Sequence, residues 1–131
     1  MATKYVRDAM NRSVVTCTLE TTVREAARRM TEHGVNALVV VEEVSGELEG
    51  IVTRSDLARA YGQDYQAIHV ESVMSHQVQT IVPDIPVSAA VLLMLDHKVD
   101  RLVIMHAKPG PPRPVGVLSL SDIVRDIAGE A

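Results

Sequence analysis

The sequence predicts an α/β protein made of two copies of a β-α-β-β-α pattern. The segment Val6–Met10 returns as Val70–Met74 at a separation of 64 residues, and Gly50–Asp56 returns as Gly116–Asp122 at a separation of 66 residues. The two additional residues fall in the proline-rich loop that ends at Pro114. An internal repeat of this length indicates that one supersecondary unit has been used twice.

Each half has the same predicted order of elements: a short strand, a helix, a strand, a turn, a strand and a closing helix. The first strand lies near Val14–Thr18, and the second copy begins again near Val78. We therefore place the repeats at residues 1–66 and 67–131. Because a repeat of this size without Phe or Trp has a small stability margin, we expect the two to pack about a pseudo-twofold axis as one module.

The strands supply the evidence for helices on the faces of the sheets. Ala37–Val41 and Arg101–Met105 are almost continuous runs of Val, Leu, Ile and Met. Strands of this kind occur where helices cover the sheet, which favours α/β layers.

The two long helices differ in character. Val23, Ala26 and Met30 form one apolar stripe on the first, which begins after either Thr21 or Thr22. The second, from Val87 onward, is apolar nearly all round. A short chain has little left to cover such a helix, so we expect a second subunit to cover it.

Composition excludes several classes of function. A net charge of −4 without a run of Lys and Arg argues against nucleic acid as a partner. No segment approaches the ~20 apolar residues of a membrane span, and the single Cys17 is typical of a reducing compartment, so we expect a cytoplasmic protein. No histidine or cysteine spacing predicts a metal site, and no nucleophile or Walker loop predicts a catalytic residue, so we expect no enzyme activity.

The repeated residues resemble those of the CBS (cystathionine β-synthase) domain family. The resemblance consists of a leading V-x-D/E-x-M segment, an apolar strand, and a closing G-h-x-T/S-x-x-D, twice, over essentially the whole chain. It implies a Bateman module, with an adenosine-containing ligand such as AMP, ADP, ATP, S-adenosylmethionine or NADH bound between the repeats. It also implies a homodimer that a regulated protein partner can recognise, and no required cofactor beyond the adenine nucleotide as regulatory ligand.

The resemblance selects Asp56 and Asp122 as acceptors for the ribose hydroxyls. A carboxylate in the first turn of a helix is favoured by the helix dipole and has two oxygens for two vicinal hydroxyls. The simpler alternative is that both aspartates only cap their helices. Thr53 and Ser119, at the same helix starts, suit contact with phosphate or ribose, or act as plain N-caps.

Positive charge for a phosphate is distributed unevenly between the copies. Arg54 has Leu120 as its counterpart, whereas Arg101 has Ala37, so we expect the site with Arg101 and Asp122 to bind phosphate better. Either arginine could instead be a solvated surface charge. The remaining candidate ligand contacts are apolar or backbone groups that would enclose adenine; they are Thr16, Ala37, Leu38, Ile81 and Leu102, with Val15 and Val82 beside them.

Two alternatives remain open from the sequence. The chain could be a dimerisation scaffold whose clefts hold no ligand. The loop Pro109–Pro114 is longer than the family's usual turn, and it could form a stiff polyproline II segment or a plain extended hairpin connection.

Overall fold

The computed structural model describes residues 3–106, 109 and 112–129, and it confirms the predicted α/β fold with two β-α-β-β-α repeats. Residues 110 and 111 are not among them, so the conformation predicted for the Pro109–Pro114 loop lies partly outside the described residues. In chain order the elements are α1 (Val6–Ala9), β1 (Thr16–Cys17), α2 (Val23–His33), β2 (Ala37–Val41), β3 (Leu48–Thr53), α3 (Arg54–Ala58), a 3₁₀ turn (Val70–Ser72), β4 (Thr80–Ile81), α4 (Val87–His97), β5 (Arg101–Met105), β6 (Pro114–Ser119) and α5 (Leu120–Ile127).

Each repeat contributes one three-stranded sheet, in the orders β1-β2-β3 and β4-β5-β6. The first two strands of each sheet are parallel and joined through the long helix, and the second and third are antiparallel and joined by a turn. Both sheets show a register shift at the same place, after Val40 in one and after Ile104 in the other. The duplication in the sequence is therefore also a duplication of strand register.

The chain forms two compact units, and each takes its leading segment from the other copy of the repeat. The first-repeat unit is Val15–Val78, and the second-repeat unit combines Met1–Val14 with Gln79–Ala131. Val70–Met74 therefore lies with the first sheet and Val6–Met10 with the second. The repeat limits 1–66 and 67–131 describe the duplicated sequence pattern, whereas the limits of the compact units describe which segments pack together.

A glycine permits each leading segment to approach its sheet. Ile51 and Ser75 exchange two backbone hydrogen bonds of 3.0 and 2.9 Å, as do Asn11 and Val117 at 2.9 Å each. A Cβ on Gly50 would stand 2.3 Å from the Ser75 carbonyl oxygen. A side chain at that position would push the leading segment off β3.

Two separate apolar cores stabilise the units. The core of the first-repeat unit consists of Cys17, Ala26, Met30, Leu38, Val40, Val52 and Val70. The core of the second-repeat unit consists of Val6, Met10, Ile81, Ala90, Met94, Leu102, Ile104 and Leu118. As the composition predicts, both are built from aliphatic and sulfur-containing side chains.

The helix ends follow their local sequence. The Thr22 side chain accepts a 3.1 Å hydrogen bond from the Glu25 N–H, so Thr22 and not Thr21 is the N-cap of α2. The C-cap of α2 is Gly34 with φ 62°, and the C-cap of α4 is the equivalent Lys98 with φ 55°. A left-handed lysine is less favourable than a left-handed glycine, so the second repeat keeps the cap geometry at an energetic cost.

Candidate functional site

The candidate site is built at the start of the closing helix of each repeat. In the first-repeat unit, the Asp56 carboxylate accepts a 2.8 Å hydrogen bond from the Thr53 N–H, and the Thr53 hydroxyl accepts one of 3.3 Å from the Asp56 N–H. The Arg59 guanidinium donates to the other carboxylate oxygen at 2.8 Å. Asp56 is thus the third residue of a capping box whose N-cap is Thr53, so it has the helix-start role of the simpler alternative and is an ion-pair partner as well.

The second-repeat unit repeats this arrangement and adds one bond. Asp122 accepts hydrogen bonds from the Ser119 N–H at 2.8 Å and from the Ser119 hydroxyl at 3.0 Å on the same carboxylate oxygen. Its other oxygen is paired with Arg125. A carboxylate offers about four lone-pair positions, so more acceptor capacity remains at Asp56 than at Asp122.

Both aspartates lie at the protein surface without being freely solvated. Their side chains are 15% exposed for Asp56 and 14% for Asp122. Partial burial strengthens the hydrogen bonds to a carboxylate, and the remaining exposed fraction is the part that a ligand could contact.

Strand pairing brings several of the predicted residues together. Ala37 is the register partner of Thr53 at the start of β2, and Arg101 is the register partner of Ser119 at the start of β5. In each repeat, the start of the second strand, the end of the third strand and the aspartate at the start of the closing helix therefore lie close together, at one end of the sheet. Thr16 lies in the neighbouring strand β1, in register with Val39.

The two predicted phosphate-binding arginines differ in their surroundings. Arg101 is 14% exposed and makes two 2.9 Å hydrogen bonds to the Asp100 carboxylate, so its charge already has a counter-charge beside it. Arg54 is exposed and lines a groove between α2 and α3, whose lining includes neither Thr53 nor Asp56.

The apolar candidates are core residues. Leu38 and Leu102 are 0% and 1% exposed, and Ile81 is 9% exposed. Their side chains pack in the two cores, so within each unit a ligand would meet their backbone rather than their side chains.

Sequence reasoning missed the arginine that follows each aspartate. Arg59 and Arg125 occupy equivalent positions, three residues after Asp56 and Asp122, and each pairs with its aspartate. The D-x-x-R spacing is visible in both copies and matches the i,i+3 distance at which helical side chains meet. That spacing could have revealed the pair.

The other reactive groups do not add to this site. Cys17 is 1% exposed, so it packs as a small hydrophobic residue. Desolvation by burial raises the pKa of its thiol to about 11, and the nearby Arg29 charge lowers that pKa by a smaller amount. Within the described residues no cluster of His, Cys, Asp and Glu has the arrangement of a metal site. No helix in the same part of the chain is long and apolar enough to span a membrane.

Comparison with known proteins assigns the family. The model of the CBS domain matches residues 6–63 and again 70–129. The chain belongs to the CBS domain family. It is similar to the CBS domain-containing protein YhcV of Bacillus subtilis, with 35% identity over 121 residues that cover 90% of this chain and 81% of YhcV. The tandem CBS pair expected from the sequence is thereby confirmed.

CBS pairs also occur inside larger enzymes. Arabinose 5-phosphate isomerase KdsD of Pseudomonas aeruginosa is 35% identical over 109 residues, which cover 82% of this chain but only 32% of that enzyme. The similarity to this enzyme is thus confined to about a third of its length.

A solved structure reproduces nearly the whole fold. The CBS domain pair of protein MJ0100, crystallised with 5′-methylthioadenosine and S-adenosyl-L-methionine, superposes with a TM-score of 0.85 at 27% identity. The match covers 99% of this chain and 100% of the other. A regulatory ligand-binding module is the function that these similarities support.

Proposed function

We propose that this CBS pair is a regulatory sensor that binds an adenosyl ligand of the AMP, ADP or ATP type and works as a homodimer. Asp56 and Asp122 each accept hydrogen bonds from ribose hydroxyls. The backbone of Ala37 lies beside the helix start that carries Asp56, and the backbone of Arg101 lies beside the helix start that carries Asp122. The observation that carries the proposal is the duplicated, partly buried carboxylate at a helix start, held in one orientation by its capping box.

The geometry of the carboxylates suits a vicinal diol. One oxygen of each is fixed by a backbone N–H, and the other is paired with an exposed arginine, Arg59 or Arg125. A diol can add to the free acceptor positions of Asp56 directly. At Asp122 the Ser119 hydroxyl must first turn away from the carboxylate, and it then becomes a donor for the ligand.

The phosphate of a nucleotide requires a cation or free donors. Arg101 is the predicted cation in the second-repeat unit, and its neutralisation by Asp100 reduces the attraction it exerts on a phosphate. We therefore infer that the adenosine part carries most of the recognition. The related pair MJ0100 was crystallised with two adenosyl ligands that contain no phosphate, which supports that inference.

The proposed activity is regulatory rather than catalytic. Ligand binding would change the equilibrium between two arrangements of the module, and a partner protein would bind one arrangement more tightly than the other.

Equilibrium binding to the full chain tests the proposal. AMP, ATP, S-adenosylmethionine and NADH are titrated by calorimetry, with GMP as the control for base recognition. We expect saturable binding of at least one adenosyl ligand and none of GMP. Absence of binding by all four adenosyl ligands would contradict the sensor and favour a ligand-free dimerisation scaffold.

A further inference from the structure

The second-repeat unit has an acidic residue beside its predicted phosphate-binding arginine, and the first-repeat unit has neither. Asp100 comes directly before Arg101, the first residue of β5, where the first repeat has Asn36 and Ala37. The Nε and Nη2 atoms of Arg101 donate hydrogen bonds of 2.9 Å to the two oxygens of the Asp100 carboxylate. A bidentate pair of this kind fixes the relative orientation of its two partners.

Backbone contacts hold this pair at the helix start that carries Asp122. The Leu120 N–H, in the first turn of α5, donates a 2.9 Å hydrogen bond to the Asp100 carbonyl oxygen. In the first-repeat unit, the Arg54 N–H donates the same bond to the carbonyl oxygen of Asn36. Residues 36 and 100 therefore have the same backbone position in the two units, and they differ in the charge of the side chain.

Strand pairing puts the Arg101 side chain beside the proposed ribose site. Arg101 is opposite Ser119 in the antiparallel pair of β5 and β6. Side chains of directly opposed residues lie on the same face of a sheet, with Cβ atoms about 5 Å apart. The Ser119 hydroxyl in turn donates to the Asp122 carboxylate at 3.0 Å. A ribose held by Asp122 would therefore have the Arg101 and Asp100 charges close to its 5′ substituent.

The burial of the pair determines what an incoming anion meets. The Arg101 side chain is 14% exposed, so its guanidinium has little freedom to turn away from its partner, whereas the Asp100 side chain is 67% exposed. Because the Asp100 carboxylate stays beside the guanidinium, its repulsion of a phosphate opposes the attraction by Arg101. Solvent and salt reduce the repulsion by an exposed carboxylate but do not remove it at short range.

We propose that Asp100 makes the second-repeat unit selective for adenosyl ligands whose 5′ substituent carries no negative charge. A neutral or cationic 5′ substituent avoids the repulsion that a 5′-phosphate meets at this carboxylate. A nucleotide is then bound better at Asp56, where the uncharged Asn36 replaces the acidic residue. The preference expected from Arg101 alone is thereby reversed. Because it requires a ribose at Asp122, this selectivity rests on the proposed function and deepens it.

Calorimetry in an Asp56→Ala background tests the second-repeat unit alone, because the other proposed ribose acceptor is removed. Adenosine and AMP are titrated at low salt into this chain and into the same chain with Asp100→Asn, which introduces the residue of the first repeat. We expect adenosine to bind at least as tightly as AMP before the second substitution. Asp100→Asn should then raise the affinity for AMP about tenfold and change the affinity for adenosine by less than about twofold.

Three controls connect the gain in AMP affinity to charge and to Arg101. Adding Arg101→Ala to Asp100→Asn should abolish the gain. Raising the salt concentration should reduce it, whereas an effect of altered packing would not follow ionic strength. Asp84→Asn removes a carboxylate of similar exposure that pairs with Arg7 in the same unit, and it should leave the ratio of AMP to adenosine affinity unchanged.

Several results would overturn the proposal. They are an AMP affinity that Asp100→Asn leaves unchanged or lowers, equal gains for AMP and adenosine, and tighter binding of AMP than of adenosine by the Asp56→Ala chain. The last comparison needs no change at Asp100, so it decides the matter even where Asp100→Asn fails to fold, which circular dichroism detects.

The same titrations separate this selectivity from the sensor function. If the Asp56→Ala chain binds neither ligand and the wild type binds one, the second-repeat site is removed and the sensor remains. If the wild type binds no adenosyl ligand, both proposals are contradicted.

Discussion

At the scale of single residues, the helix-start aspartates have two roles that can be measured separately. Asp122 completes the capping box of α5 with Ser119, pairs with Arg125 and, in our proposal, accepts the ribose hydroxyls. The sequence could indicate the position of this carboxylate but not which of these roles it serves, because capping and ribose binding need the same residue at the same place.

Asp122→Ala should weaken binding of the adenosyl ligand by about one to two decades, since charged hydrogen bonds contribute roughly 1.5–3 kcal/mol each. Arg125→Ala is the matched control: it removes the ion pair but leaves the acceptor, so affinity should be unchanged or higher. Calorimetry provides both values. Equal affinity of wild type and Asp122→Ala would remove the ribose assignment.

Cys17 gives a prediction that depends on pH. Desolvation raises the pKa of its thiol in the folded chain to about 11, against an ordinary value of 9.0. Between these values the unfolded chain has lost the proton and the folded chain has kept it, so the stability contribution is present below pH 9 and declines toward pH 11.

Relative to Cys17→Ala, the wild type should therefore lose about 2–3 kcal/mol of unfolding free energy between pH 9 and pH 11. Urea denaturation at a series of pH values measures the difference, and the variant serves as the control for every other group that titrates in this range. A constant difference would show that the thiol is not desolvated.

At the scale of elements, the sequence predicted the order and type of the helices and strands better than it predicted which sheet each leading segment packs against. Hydrophobic periodicity placed α2 and α4, and the apolar runs placed β2 and β5, because these signals are local. The attachment of Val6–Met10 to the second sheet was not predictable. Both sheets offer an equivalent docking strand, and a repeat alignment shows only which segments are alike.

The close approach of the leading segments predicts unequal effects of two glycine substitutions. At Gly50 the atom nearest to a new Cβ would be a backbone oxygen at 2.3 Å, whereas at Gly116 it would be the flexible Met10 side chain at 2.8 Å. We expect Gly50→Ala to cost about 2–3 kcal/mol of unfolding free energy and Gly116→Ala about 1 kcal/mol. Urea denaturation of both variants gives the order, and a larger effect at Gly116 would contradict the described packing.

At the scale of the whole molecule, duplication followed by divergence explains the asymmetry. Both repeats have the capping box and the arginine after it, yet the first-repeat unit has an open groove between α2 and α3, whereas α4 and α5 of the second-repeat unit expose apolar side chains. The sequence indicated the exposed apolar side chains through the unusual α4. The groove is lined by residues from α2, α3 and the turn after α3, and such a combination becomes visible only in three dimensions.

The most direct measurement of the central claim compares AMP with 2′-deoxy-AMP on the wild type and on a variant with both Asp56→Ala and Asp122→Ala. The account predicts that the wild type binds AMP at least about tenfold more tightly, the equivalent of one charged hydrogen bond, and that the double variant no longer discriminates. Equal affinity of the wild type for the two nucleotides, or undiminished discrimination by the double variant, would contradict ribose recognition by these carboxylates.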